Sequence, residues 1–156
     1  MKMTRAALLA AMLLASLSAR AEKVGSVDTA FQLFGPDHKV VVEAFDDPAV
    51  EGVACYISRA KTGGFKGMVG VAKDPSRFSV ACRQVGALKF AKPLKPQEEV
   101  YSVSTSPLFK HLRVVRMVDA KRNALIYLTY SDKLVDGSPD NAITAVAVLD
   151  QKIPLR

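Results

Sequence analysis

KVVVEAFDDPAVEGVACYISRAKTGG, residues 39–64, decides the fold. It opens on three consecutive valines. Valine is stiff at χ1 and packs well on a pleated surface, so residues 39–45 read as a strand. Asp46-Asp47-Pro48 stops that strand, because proline has no N–H for a ladder and biases the residue before it away from the helical region. A second strand is expected over residues 53–60. Its alternation puts Val53, Cys55 and Ile57 on one face and Ala54, Tyr56 and Ser58 on the other. The first set faces the core, which turns Cys55 inward. Residues 61–76 then hold Gly63, Gly64, Gly67 and Gly70. Glycine at that density loses too much chain entropy for a helix, so this is a basic loop.

The neighbouring segments continue the β pattern. Upstream, Phe31, Leu33 and Phe34 flank Gln32 as a short strand, and Gly35-Pro36-Asp37-His38 is a turn, so residues 31–45 are expected to form a hairpin. Residues 22–29 are an extended lead-in. Downstream, a third strand over 78–85 carries Phe78, Val80 and Cys82 on one face, matching the face that carries Cys55. Residues 88–97, with two prolines, form a connection or an edge. A strand over 99–104 follows, then one short helical turn over 107–111, with Ser106 as its cap and Pro107 at its first position. Residues 112–118 and 124–131 are strongly β around a five-residue loop, 119–123. A turn cluster over 136–141 precedes a last strand over 142–149. Short strands between turn signals, with no long helical period, predict an all-β, single-domain sandwich or barrel-like antiparallel fold with at most one short helical turn.

The N-terminus has a different purpose. Lys2 and Arg5 precede an apolar run from Ala6 to Leu17, and Ala19-Arg20-Ala21 is the small-x-small pattern of a signal-peptidase site. Residues 1–21 are therefore expected to be a cleaved signal peptide, and residues 22–156 the mature periplasmic domain. The run is shorter than the roughly 20 residues of a membrane anchor. Losing Lys2, Arg5 and Arg20 lowers the formal charge from +7 to +4. The remaining Lys and Arg are scattered, without the dense basic face that nucleic-acid binding requires. Two cysteines remain, Cys55 and Cys82. In an oxidising compartment they are expected to form one structural disulfide, closing a loop of about 28 residues and contributing roughly 3–4 kcal/mol. Their spacing is unlike Cys-x-x-Cys, and two thiolates are too few for a metal site.

Several motif matches fail on their own chemistry. Ser58-Arg59-Ala60-Lys61 fits S-x-x-K and Lys61-Thr62-Gly63 fits K-T-G, as in serine β-lactamases and penicillin-binding proteins. Those motifs need separate lysines, and the serine must sit on a helix, whereas here Lys61 is shared and Ser58 ends a strand. The glycine loop lacks the P-loop spacing. Its backbone N–H groups, helped by Arg59 and Lys61, could still form an anion nest. Asp46 and Asp47 read as turn formers, and no calcium-loop pattern surrounds them. His38 and His111 are isolated in sequence. Neither a catalytic set nor a cofactor or metal site is expected.

Gly35-Pro36-Asp37-His38-Lys39, Val41-Val42-Glu43-Ala44-Phe45-Asp46-Asp47-Pro48 and the run from Cys55 to Gly64 resemble, in order, the CreA family of small exported bacterial proteins. So do Gln84-Val85-Gly86, Asp119-Ala120-Lys121-Arg122-Asn123-Ala124-Leu125, Tyr130-Ser131-Asp132-Lys133, Gly137-Ser138-Pro139 and Asn141-Ala142-Ile143. The resemblance implies a one-domain periplasmic protein with paired cysteines and supplies no reaction. The expected function is a non-enzymatic binding module for another envelope protein or a small anionic ligand. Arg59, Lys61, Arg122 and Asp132 are its candidate binding residues, converging if loops 58–64 and 119–123 share one rim. Two alternatives remain. One is a small hydrolase or lyase pairing His38 or His111 with Asp46 or Asp47. The other is a structural envelope component docking through a patch around Phe65, Met68 and Val69.

Overall fold

The computed structural model describes residues 21–64, 77–106, 110–132 and 139–156. Most of the glycine loop, with Phe65, Met68 and Val69, lies outside the described residues. In chain order the strands are β1 Glu22–Ala30, β2 His38–Asp46, β3 Val50–Lys61, β4 Phe78–Phe90, β5 Gln97–Ser106, β6 Lys110–Asp119, β7 Ala124–Ser131 and β8 Asn141–Ala147. They form two four-stranded antiparallel meanders, β1-β2-β3-β4 and β5-β6-β7-β8. The fold is all-β, as the alternation and turn signals predict.

Two expectations are corrected. Residues 31–34 are not a strand, and the partner of β2 is the former lead-in, from Glu22 opposite Ala44 to Ala30 opposite His38. The reason is local. The Gln32 N–H donates to Asp37 Oδ1 at 2.7 Å, and Gly35 adopts a left-handed φ of 84°. The loop thus folds back on its own acceptor instead of joining a ladder. The short helical turn is also absent where it can be checked. Residues 107–109 lie outside the described residues, and Lys110 and His111 belong to β6.

The meanders pack face to face around one apolar cluster drawn from both, including Val53, Ile57, Val114, Leu125 and Val146. They approach most closely along β4 and β8, where the Cys82 N–H donates to Thr144 Oγ1 at 3.3 Å. Cys55 and Cys82 lie directly opposite each other on β3 and β4, with Cα atoms 4.0 Å apart, and form the disulfide. Both are fully buried, so the staple sits inside the sandwich.

Two contacts fix how the sheets align. Phe45 of β2 stacks on Tyr101 of β5, with ring centroids 4.4 Å apart. Asp47, just after β2, reaches Arg116 of β6 and Tyr127 of β7. The β2–β3 and β6–β7 turns therefore share one end of the sandwich. His38, Lys61, Phe78, His111 and Asp132 share the other. At the first end Asn123, in the left-handed region at φ 53°, donates to the carbonyls of Val148 and Gln151 and accepts from the Ile153 N–H. It holds the C-terminal tail, whose Ile153 is buried.

Candidate functional site

The alternation that builds β6 places Leu112, Val114 and Arg116 on its inner face. An arginine on that face must find a carboxylate inside the protein, because a buried charge without a partner is strongly unfavourable. The β2–β3 turn supplies it. Asp47 Oδ1 accepts from Arg116 Nη1 at 2.6 Å and from the Ala49 N–H at 2.8 Å. Oδ2 accepts from Nη1 and from the Tyr127 hydroxyl, both at 2.8 Å. Glu98 takes Nη2 at 2.9 Å. The Asp47 and Arg116 side chains are fully buried. Burial, and then the Asp47 charge, pushes the Tyr127 phenol far above its ordinary range, so it remains a donor. Asp47 is a turn former, as read from sequence, and it also ties the two sheets together. Asp47, Arg116 and Tyr127 are closed to solvent and only Glu98 reaches it, so the chemistry of the network is structural.

A second polar group lies on the inner face toward the other end. Arg59 continues the Val53–Cys55–Ile57 face and is buried. Its Nε donates to Glu43 Oε2 at 2.8 Å and its Nη2 to Oε1 at 2.9 Å, a bidentate pair. The Arg59 bond holds the Glu43 carboxyl below its ordinary range against the opposing effect of burial. Tyr101 lies close enough that the Glu43 charge adds to burial in raising its phenol. Thr129 and Ser131 point inward from β7, and their hydroxyls have no hydrogen-bond partner among the described residues.

The structure does not gather the four predicted binding residues. Arg59 is committed to Glu43. Lys61 ends β3 at the same end, half-buried. Asp132 is also at that end and accepts from Arg113 Nε at 2.7 Å, on the outer face of the second sheet. Arg122 sits at the opposite end, in the β6–β7 turn, where its Nη1 donates to Asp119 Oδ2 at 2.8 Å. Loops 58–64 and 119–123 therefore do not form one rim. The proposed acid–base pairs separate too. His38 begins β2 and Asp46 ends it, about 25 Å apart along an extended strand. His111 lies near the start of β6, five residues before the Arg116 that engages Asp47. Among the described residues there is no group of three or more His, Cys, Asp or Glu side chains that could hold a metal. No helix there is long and apolar enough to cross a membrane.

At the His38 end two loops interlock. The Gly64 N–H donates to the Pro36 carbonyl at 2.6 Å, and the Gly63 N–H to His38 Nδ1 at 2.9 Å. A side chain at Gly63 would run into the Pro36 and Asp37 backbone. This explains both Gly35-Pro36-Asp37-His38 and Thr62-Gly63-Gly64: each is one half of a clasp. The clasp displays Phe31, Leu33 and Phe34 to solvent, at 79%, 78% and 74% exposed.

Three residues are not among the candidates expected from sequence: the buried Arg116 and Tyr127, and the half-buried Glu98. For Arg116 the signal was present, as a cation at a period-2 apolar position. Fold and site together define a disulfide-stapled antiparallel β sandwich, its sheets joined through a buried carboxylate–guanidinium–phenol network. The chain belongs to the CreA family, whose profile, described as CreA protein, matches residues 24–151. It is 57% identical over 135 residues to Protein CreA of Escherichia coli strain K12, covering 84% of this chain and 86% of that one. The same values hold for Protein CreA of the O6:H1 and O157:H7 strains of Escherichia coli. No solved structure matches it.

Proposed function

We propose that this chain is exported to the periplasm and works there as a non-catalytic binding module, docking an apolar groove of another envelope protein onto the loop that carries Phe31, Leu33 and Phe34. One observation carries the reading. The loop is held by the Gln32–Asp37 bond and by the Pro36–Gly64 and His38–Gly63 contacts, yet its three largest side chains stay about three-quarters exposed. Scattered exposed apolar residues are ordinary, but a cluster displayed by one fixed loop is the mark of an interaction site. Pre-ordering also lowers the entropy lost on binding.

The small-anion alternative has less support. Arg59 and Arg122 each already carry a carboxylate. Export is supported by the n-region, apolar run and Ala19-Arg20-Ala21 of the N-terminus, and by a disulfide that needs an oxidising compartment.

The test is photo-crosslinking in intact cells from a reactive residue at Leu33, with a matched probe at Lys152 on the far end of the domain. The expected result is a discrete crosslinked protein from Leu33 only, lost when Phe31 and Phe34 are changed to serine. Identical products from both positions would overturn the docking assignment. A purified chain still beginning at Met1 would overturn export.

A further inference from the structure

β1 is an unusual edge. Among the described residues it pairs only with β2, and its side chains are exposed along nearly the whole strand, on both faces. Val24 and Val27 are 60% and 70% exposed. Nine residues of strand edge with no partner among the described residues form a ready template for another strand.

The side chains say which strand fits. Relative to β2, β1 has bulges at Val24 and Thr29. Counting through them, Lys23, Ser26 and Asp28 lie opposite Glu43, Val41 and Lys39, on one face. Glu22, Gly25, Val27 and Ala30 lie on the other, opposite Ala44, Val42, Val40 and His38. Two copies of an edge paired antiparallel are related by a twofold axis perpendicular to the sheet, so a residue on that axis meets itself. An axis at Lys23 or Asp28 opposes like charges, which is unfavourable. An axis at Ser26 sets Gly25 against the partner's Val27, Lys23 against the partner's Asp28 and Glu22 against the partner's Ala30, each pair sharing a face. The bulges preserve this match, since without them Lys23 and Asp28 would lie on opposite faces.

We propose that β1 pairs with β1 of a second copy about Ser26, joining two four-stranded sheets into one of eight. Across the junction the charges then run Lys39, Asp28, the partner's Lys23, the partner's Glu43. The sign alternates at every step, and symmetry repeats the row. Among the described residues neither Lys23 nor Asp28 makes an ion pair within its own copy. The interface is small, so the dimer is a reversible, concentration-dependent one. It uses a different surface from the Phe31 loop and stands or falls separately from the docking reading.

Sedimentation equilibrium on the purified, disulfide-bonded protein tests it, from micromolar to millimolar concentration. The expected result is an average mass rising from monomer toward twofold. Lys23→Asp alone and Asp28→Lys alone should each stay monomeric, because each opposes like charges twice. Mixing those two variants should restore association, since every charged pair opposed across the junction between the copies is then of opposite sign. The double variant K23D/D28K should also regain association, because its junction pairs are again of opposite sign, although each exchanged side chain then faces a like charge on β2. All the changes are at exposed positions, and unchanged far-UV circular dichroism checks that each variant is folded. A wild type monomeric throughout would overturn the proposal. Single variants that associate undiminished, or a mixture that stays monomeric, would overturn it equally.

Discussion

Removing the Asp47 carboxylate tests the physical account of the buried network most directly. In Asp47→Ala, Arg116 keeps Glu98 alone among the described residues, where its Nε already lacks a partner. The Tyr127 hydroxyl and the Ala49 N–H lose their acceptor as well. Breaking a buried pair from one side typically costs 3–5 kcal/mol, so about 4 kcal/mol is expected. Arg116→Met should cost about 3 kcal/mol, since Asp47 retains Tyr127 and Ala49 as donors. The double variant removes both charges and leaves a side chain of similar reach in the core. It should cost about 4 kcal/mol rather than the sum of about 7, a coupling of about 3 kcal/mol. Urea unfolding at neutral pH, followed by far-UV circular dichroism, measures all three, as the chain has no tryptophan to report by fluorescence. Additive single effects, or an Asp47→Ala cost below about 1 kcal/mol, would refute the claim that the two side chains stabilise one another inside the sandwich.

Three further outcomes follow from other contacts. Gly63→Ala drives a methyl group into the Pro36 and Asp37 backbone, so it should destabilise by about 2 kcal/mol and raise amide exchange at Gly64, measured by hydrogen–deuterium exchange. Glu43 has a folded pKa below its unfolded value near 4.5, so its pairing with Arg59 contributes fully above that pH and is lost as pH falls through the lower folded value. Thermal melts between pH 3 and 6 should therefore fall less steeply on the acid side in Glu43→Gln than in wild type, and parallel curves would remove that assignment. Changing Cys55 and Cys82 together to alanine should lower stability by roughly 3–4 kcal/mol without altering far-UV circular dichroism at low temperature.

Much of the architecture was legible in local chemistry. The β7 limits, 124–131, match the strand expected from sequence, and the cysteines share a face because they lie directly opposite each other on paired strands. Arg116 and Arg59 were equally visible as charges on apolar faces. Their partners were not. Asp47 lies 69 positions from Arg116, and no period relates a turn to a strand of the other sheet. The exposed loop was misread for a similar reason. Phe31, Leu33 and Phe34 have strand-like composition, and only the clasp with Gly63 and Gly64 shows that they stay outside.

The sequence by itself determined the all-β class, most of the strands and the inward face of the two that carry Cys55 and Cys82, because those follow from steric preferences and a two-residue period that act between neighbours. Which carboxylate neutralises which buried guanidinium, and which side chains remain uncovered, was decided only when the two sheets packed. Desolvation energy depends on what surrounds a group in three dimensions, and for Asp47 and Arg116 that surrounding comes from strands far apart in the chain.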